Sequence, residues 1–540
     1  MQQKDHLKDQ YDWVVLGDHP AALLSAGLLS KLGYSTLILP MAPSLLANIS
    51  STAQCLDPEP SFLMGLGRPE SAAGLLGECL SFLGSPVSAL KFIRMTDAYL
   101  PQALTPRAKI QLFAAHDRWI QEFDRELPSA ELPHAKGLVS TVDQIEGVAH
   151  TYWKRLPDRI ARQPVAPIVK GLRGWRPRPG AGRVDFREGL WRGLKLAGGS
   201  TRDWGSLSES WKRRRLPGGA FGPALEAFLY GMTGANDARL TPFDCAHILA
   251  LGKSGGSFQG GLTAYRQFLL HLAQKWGAQV PRETECRRLF IENGRLIGAQ
   301  VSHRGKMVSV NGGAIGCASS HLKEFLYYSG QESKAPLKSA RAPAGWRFTL
   351  ALTVHREAIP PGMNRRAIWK DQDAPALEIE TADPSDYNLG QPEHQLVFLR
   401  TTLPFTQESL TVSYQRLIAS RMFRQLCDLF PFLEFHVSKV FPDFRAGVGT
   451  EREEFSEMYG FVTPELVPEN LRVYADEGAG ADSGIENLYV TNGEAYPQFG
   501  SFGGTVAAVQ AVSAFVRRQT QSQSTGVAGA KESAPPLLWQ

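Results

Sequence analysis

Two stretches near opposite ends of the chain carry residues that could contact an anionic cofactor. In the first, Gly17 follows an apolar run and Ala22 comes five residues later. That is the spacing between the first and third positions of the dinucleotide-binding pattern G-x-G-x-x-G/A. The second set follows another apolar run and consists of Gly493, Glu494, Gly500, Gly503 and Gly504. A glycine-rich turn before a helix presents backbone N–H groups to an anion, so both sets are candidate cofactor contacts.

The elements around the first set form a β-α-β pattern. The apolar runs 13–16 and 36–39 predict two short strands, and the stretch between them predicts a helix. Gly33 follows the helical pattern and can cap the helix at its C-terminus. The helix has one apolar face, formed by Ala21, Leu24, Leu28 and Leu32. The stretch 11–40 therefore predicts a Rossmann-like unit.

Three residues of this unit depart from the dinucleotide pattern. His19 replaces the second glycine, where the pyrophosphate comes closest to the backbone, and Asp18 adds a negative charge beside it. Pro40 stands where an acidic residue would bind the ribose. The spacing therefore predicts the fold better than it predicts a bound dinucleotide.

The composition is that of a globular protein. The chain has 540 residues, of which 43% are hydrophobic and 21% are charged. Its six cysteines are scattered without a CxxC pair, which argues against structural zinc or a disulfide framework. The first ten residues lack the apolar core of a signal peptide, and no stretch is apolar enough to span a bilayer. We therefore expect a cytoplasmic protein, with the basic segment described next as a possible site of peripheral membrane association.

A basic, tryptophan-rich segment covers residues 153–215. It contains 17 Lys and Arg against 5 Asp and Glu, and five of the 11 tryptophans. Three interpretations remain open: a solvated insertion, a surface for an anionic membrane or protein partner, and a nucleic-acid contact. The last has the least support, because no nucleic-acid motif is present.

Further elements follow in order. Gly260-Gly261 precedes a helical pattern that ends near Gly277, and Asn293-Gly294 between two alternating runs predicts a β-hairpin. A helix is also predicted over 110–127. Strands 346–355, 376–380 and 395–400 and a helix at 412–429 predict a mixed α+β region. The polar tail 519–540 predicts disorder.

The order of these pieces resembles the superfamily of phytoene desaturases and flavin amine oxidases. The similar pieces are the first β-α-β unit, the Gly-Gly helix with its hairpin, and the strand, Gly-Glu pair and glycine turn of 487–515. The family's Gly-Gly-Arg after the second strand is absent from 41–54. The resemblance implies an α/β fold with a Rossmann-like FAD domain built from 8–75, 255–320 and 470–518. A mixed α+β substrate or cap domain, from 76–254 and 321–469, would be inserted into it.

The same resemblance implies an FAD-dependent oxidoreductase that dehydrogenates or isomerises an apolar substrate by hydride transfer to the flavin. It names no catalytic residue, because the flavin carries the chemistry in that family. FAD would be contacted by the two glycine-containing sets, chiefly the C-terminal one. The alternative is a pseudoenzyme that has lost FAD and serves as a scaffold or partner subunit, as the residues at 18, 19 and 40 suggest.

Overall fold

The computed structural model describes about two thirds of the chain. Its described residues are 7–39, 61–68, 74–153, 219–234, 242–281, 284, 286–302, 307–316, 322, 325–328, 337, 343–371, 375–382, 393–444, 467, 471–474, 481–491, 494–496 and 499–524. The basic segment from 154 onward lies outside them, so its three interpretations remain expectations.

Helices and strands alternate along the chain. The helices are α1 Pro20–Lys31, α2 Leu75–Phe82, α3 His116–Glu126, α4 Leu132–Trp153, α5 Phe221–Thr233, α6 Pro242–Lys253, α7 Gly261–Lys275, α8 Val412–Leu429 and α9 Ser501–Ser524. The strands are β1 Gln10–Leu16, β2 Thr36–Leu39, β3 Phe62–Leu63, β4 Ile93–Arg94, β5 Gln102–Leu104, β6 Lys109–Gln111, β7 Gly256–Phe258, β8 Cys286–Glu292, β9 Arg295–Val301, β10 Met307–Gly316, β11 Leu326–Tyr328, β12 Gly345–His355, β13 Arg366–Trp369, β14 Leu377–Ala382, β15 His394–Pro404, β16 Val437–Phe441, β17 Arg472–Val473 and β18 Leu488–Val490. Every helix of the described part is too short or too polar to cross a membrane.

Strands from three distant parts of the chain share one sheet. Its order is β11-β8-β9-β10-β1-β2, and β18 pairs with the end of β10. Strands β2, β1, β10 and β18 run parallel, whereas β8, β9 and β10 form an antiparallel meander. Asn293 and Gly294 join β8 to β9 with positive φ values of 50° and 70°, as a tight hairpin turn requires. The predicted hairpin is thus confirmed.

Helix α1 is buried along its length, from Ala21 to Ser30. It packs between α7 and α9, and its small residues allow the close approach. A Cβ added at Gly27 would lie 3.8 Å from the Cα of Ala273 in α7. The helix ends in a Schellman motif, in which Tyr34 N–H donates to Leu29 O and Gly33, at φ +91°, donates to Ser30 O. Gly33 caps the helix as predicted.

A second sheet has the order β16-β12-β15-β14-β13-β5-β6, with β17 beside β12. Neighbouring strands in this sheet are antiparallel, except for β13 and β5, which pair in parallel. Helix α8 buries Ala419, Met422 and Leu426 against its apolar face. A small third sheet, β3-β7-β4, lies beside it. The mixed α+β character expected for the later region is therefore present.

Two elements differ from their predicted bounds. Helix α3 begins at His116 rather than near 110, because residues 109–111 pair with β5 as strand β6. Helix α9 continues to Ser524, into the tail expected to be disordered, because Gln and Ser there tolerate helical backbone.

Candidate functional site

The carboxyl ends of the parallel strands meet at one edge of the first sheet. Leu16 of β1 lies opposite Leu39 on one side and Gly316 on the other, and Gly316 lies opposite Val490. The chain leaves β1 towards β2 and later returns to the opposite side as β10. Such a switch point forms a crevice where open α/β sheets bind ligands.

Gly17 of the first predicted set lies at this edge, and the strand that precedes the second set ends there. Gly17 follows β1 with φ +90° and donates its N–H to Leu39 O at 2.9 Å. Thr491 follows β18 and donates its N–H to Gly316 O at 3.0 Å. Glu494, three residues further on, is buried. Gly493 lies outside the described residues, and Ala22 lies fully buried inside α1.

The first turn of α1 is capped by its own chain. His19 is the N-cap residue, and its Nδ1 accepts a hydrogen bond from Ala21 N–H at 3.3 Å. Pro20 stands at the first helical position and has no N–H. The first donor that the helix could offer an anion is therefore already used. Asp18 adds an exposed carboxylate beside it.

His19 is neutral in this position. Desolvation of the half-buried imidazole, together with the nearby charge of Arg266, lowers its pKa to about 3. A neutral ring can accept the Ala21 hydrogen bond through Nδ1, whereas a protonated ring could not. His19 therefore contributes a cap and no positive charge for a phosphate.

The C-terminal glycines are pressed against protein backbone. A Cβ at Gly500, where φ is +53°, would lie 2.8 Å from Met232 O and from the Cα of Thr233. A Cβ at Gly503 would lie 2.2 Å from Tyr496 O. The turn thus packs tightly on the end of α5. Helix α9 begins at Ser501, so Gly503 and Gly504 lie within its first turn.

These observations limit how FAD could sit at the edge. The crevice has the position and strand directions of a dinucleotide site, and the Thr491 hydroxyl is buried there without a partner among the described residues. The N-terminus of α1, however, does not suit a pyrophosphate in the usual position, since its first donor is capped and the adjacent charge is negative. Any dinucleotide must be contacted chiefly from other elements.

A second candidate site is a cleft between the small sheet and the second sheet. It opens to solvent. Its polar lining includes Arg94, Tyr99, Arg365, Arg366 and Glu380.

Buried ion pairs stand behind this cleft. Arg366 Nη2 lies 2.9 Å from Glu378 Oε1, and Arg400 Nη1 contacts Glu380 and lies 3.7 Å from Glu378. Ser61 Oγ donates to Glu380 and lies 2.5 Å from Ser257 Oγ. Burial alone would raise the pKa of Glu380, but Arg400 and Arg366 outweigh it and hold that pKa below its usual value.

The pattern of charges along β14 and β15 could have revealed this network from the sequence. Glu378 and Glu380 are two residues apart in an otherwise apolar strand, and therefore share one face of it. Arg400 interrupts the long apolar run of β15 and lies directly opposite Glu378. Buried charges are almost always paired, so such residues in a core strand indicate partners on neighbouring strands.

Comparison with known proteins identifies the fold. No protein-family model matches the sequence, and no curated protein matches it either. Among solved structures, an oxidoreductase from Methanosarcina mazei is 14% identical, with 95% of this chain and 100% of that chain covered and a TM-score of 0.51.

Two other solved structures are less similar. Cyclohexylamine oxidase from Brevibacterium oxydans is 13% identical, with 95% and 99% of the two chains covered and a TM-score of 0.47. The myxobacterial chondrochloren halogenase CndH, described as an FAD-dependent halogenase, is 9% identical, with 96% and 76% covered and a TM-score of 0.40. The conclusion about the fold rests on the first of the three structures: the chain shares its overall fold with the oxidoreductase from Methanosarcina mazei.

Proposed function

We propose that the chain is an FAD-dependent oxidoreductase that dehydrogenates or isomerises an apolar substrate. The observation that carries the proposal is the switch-point edge, where Gly17 and Thr491 are brought together by strands from opposite ends of the chain. The shared fold supports it. A bound flavin would supply the hydride acceptor, and the chain would supply the crevice.

The residues that would hold FAD lie mainly after β18. Thr491 offers a hydroxyl that has no partner among the described residues, and Glu494 has a buried carboxylate of the kind that can bind a ribose hydroxyl. Gly17 keeps the sharp turn after β1. Arg266 places a positive charge near the start of α1.

The test is the absorbance spectrum of the purified chain, before and after incubation with FAD. We expect a flavin band near 450 nm (an approximate value for oxidised flavins) and a stoichiometry that approaches one FAD per chain. A protein that is colourless and does not take up FAD would contradict the proposal. It would favour the second candidate, a scaffold or partner subunit that keeps the fold, for which the His19 cap is the supporting observation.

Peripheral membrane association through 153–215 is a separate proposal, supported by the excess of basic residues and the tryptophans of that segment. Co-sedimentation with vesicles that contain anionic lipid should exceed that with neutral vesicles, and should fall at high salt because screening weakens the attraction. Equal sedimentation with both kinds of vesicle would contradict the proposal.

A further inference from the structure

The cleft adjoins the C-terminal glycine turn through the end of α5. Arg366 Nη2 donates to Gly231 O in the last turn of that helix. Gly500 packs on the next two residues, Met232 and Thr233. The cleft and the turn after β18 therefore share one supporting helix end, and a ligand of the cleft would lie close to the proposed cofactor edge.

Arg366 has two donor atoms that no described residue uses. Its Nη2 contacts Glu378 and Gly231, but its Nε and Nη1 are buried without a partner in the described part of the chain. The residue is 4% exposed and stacks on the Phe62 ring with 4.6 Å between Cζ and the ring centroid. Nη1 of the neighbouring Arg365 is also buried and unpartnered. Unpaired buried donors on a charged group are costly, so a ligand with acceptor oxygens would be stabilised here.

Positive charge exceeds negative charge in and behind the cleft. The charged side chains concerned are Arg94, Arg365, Arg366, Arg400, Glu378 and Glu380. Four guanidinium groups thus face two carboxylates. Asp97, which is near Tyr99 in the chain, is already paired with Arg68 and Arg118. The excess of two positive charges favours an anionic ligand.

A helix N-terminus points to the same ligand charge. Gly260 lines the cleft and is the N-cap residue of the 15-residue helix α7, with no side-chain cap. The N-terminal end of a helix carries a partial positive charge that favours anions. The N-terminus of α7 therefore supports an anionic ligand only in combination with the unpaired donors of Arg366.

The remaining walls are apolar. Phe62, Phe258 and Ala382 line the same cleft as the arginines. A ligand bound here would meet apolar surface directly beside the charged groups.

We propose that the cleft binds a monocarboxylate with an apolar chain, the carboxylate contacting Arg366 and Arg365 and the chain packing on Phe62 and Phe258. The proposal deepens the proposed function and rests on it for one point, that the ligand is the substrate. Binding itself requires no flavin. The substrate class is then an apolar molecule with one carboxylate.

Isothermal titration of the full chain with hexanoate, and with hexanamide as its neutral counterpart, tests the proposal. Hexanoate should bind at least about tenfold more tightly, because a hydrogen bond to a charged group contributes about 1.5–3 kcal/mol. Arg365→Gln should weaken hexanoate binding about tenfold and leave hexanamide unchanged. Arg125→Gln, at an exposed position on α3, is the matched control and should change neither the affinity for hexanoate nor that for hexanamide.

Equal affinities for hexanoate and hexanamide, or an Arg365→Gln variant that binds hexanoate as the unaltered chain does, would overturn the proposal. Because Arg365 is only half-buried, its variant should fold even if substitutions at Arg366 do not. The two proposals fail separately. A chain that binds hexanoate but takes up no FAD would support the carboxylate site and contradict the proposed flavin function. A chain that takes up FAD but does not bind hexanoate would contradict only the carboxylate site.

Discussion

Replacement of Arg400 by methionine is expected to lower the free energy of unfolding by about 3–5 kcal/mol. Arg400 is fully buried, contacts Glu380 and lies 3.7 Å from Glu378. Methionine has a similar length but no charge, so Glu380 would lose the ion pair with Arg400 while Arg366 remains paired with Glu378. Uncompensated buried charges account for the largest losses seen in single variants. Denaturant unfolding of both proteins at pH 7 measures the difference.

The loss of unfolding free energy caused by Arg400→Met should be smaller at acidic pH. In the unaltered chain, the pKa of Glu380 is held below its ordinary value of about 4.5, so its ion pair stabilises the fold above that pH and is lost as the pH falls through the lowered value. Without Arg400 the carboxyl of Glu380 would accept a proton more readily, and a neutral carboxyl needs no counter-charge. Unfolding measured from pH 7 to pH 4 should show the two stability curves converging.

Lys136→Met is the matched control for the Arg400 variant. Lys136 and Asp124 form an ion pair at 2.8 Å in which both side chains are more than 40% exposed. Exposed pairs contribute about 0–1 kcal/mol. If Arg400→Met lowers the free energy of unfolding no more than Lys136→Met does, the buried ion pairs of Arg400 do not stabilise the fold.

His19→Gly is expected to increase FAD affinity about ten- to a hundredfold. The substitution removes the Nδ1 acceptor, so Ala21 N–H becomes available, and it removes the side chain from the position nearest the expected pyrophosphate. A backbone N–H donated to a charged phosphate contributes about 1.5–3 kcal/mol, which corresponds to that range. Flavin fluorescence quenching or isothermal titration with FAD gives the dissociation constants. The stability cost should be small, because glycine is a tolerated N-cap residue.

His19→Asn separates the cap from the space that the side chain occupies. Asparagine is a good N-cap acceptor, so Ala21 N–H would stay occupied while the imidazole is lost. FAD affinity should therefore stay near that of the unaltered chain. If the glycine and asparagine variants both bind FAD as the unaltered chain does, the N-terminus of α1 does not contact the pyrophosphate.

Patterns within short stretches were sufficient for the first sheet and its neighbours. The apolar runs around Gly17, the Gly33 cap and the Asn293-Gly294 turn depend on local backbone preferences, which the residues carry wherever they are placed. Helix α8 was predicted at its observed bounds, 412–429, for the same reason. Strand β6 was missed because three residues of helical character pair with β5, a contact that the local pattern does not contain.

The candidate site depended more on distant contacts. The sequence shows glycines at 500 and 503, but a glycine permits close approach by a ligand and by backbone equally well. Only the packing of the turn on α5 and on Tyr496 decides that backbone is the neighbour. Likewise, a histidine at position 19 is visible in the sequence, whereas its function as the cap of α1 follows from the geometry of the turn.

The sequence by itself determined the β-α-β unit, the hairpin and the order of the main elements, because these follow from periodicity and turn chemistry over a few residues. The tertiary structure alone brought Arg366, Glu378 and Arg400 from three strands into one buried network beside a cleft. Charge compensation and unsatisfied donors are properties of neighbours in space. For that reason the fold could be read from the chain, whereas the residues offered to a ligand could be identified only after it was folded.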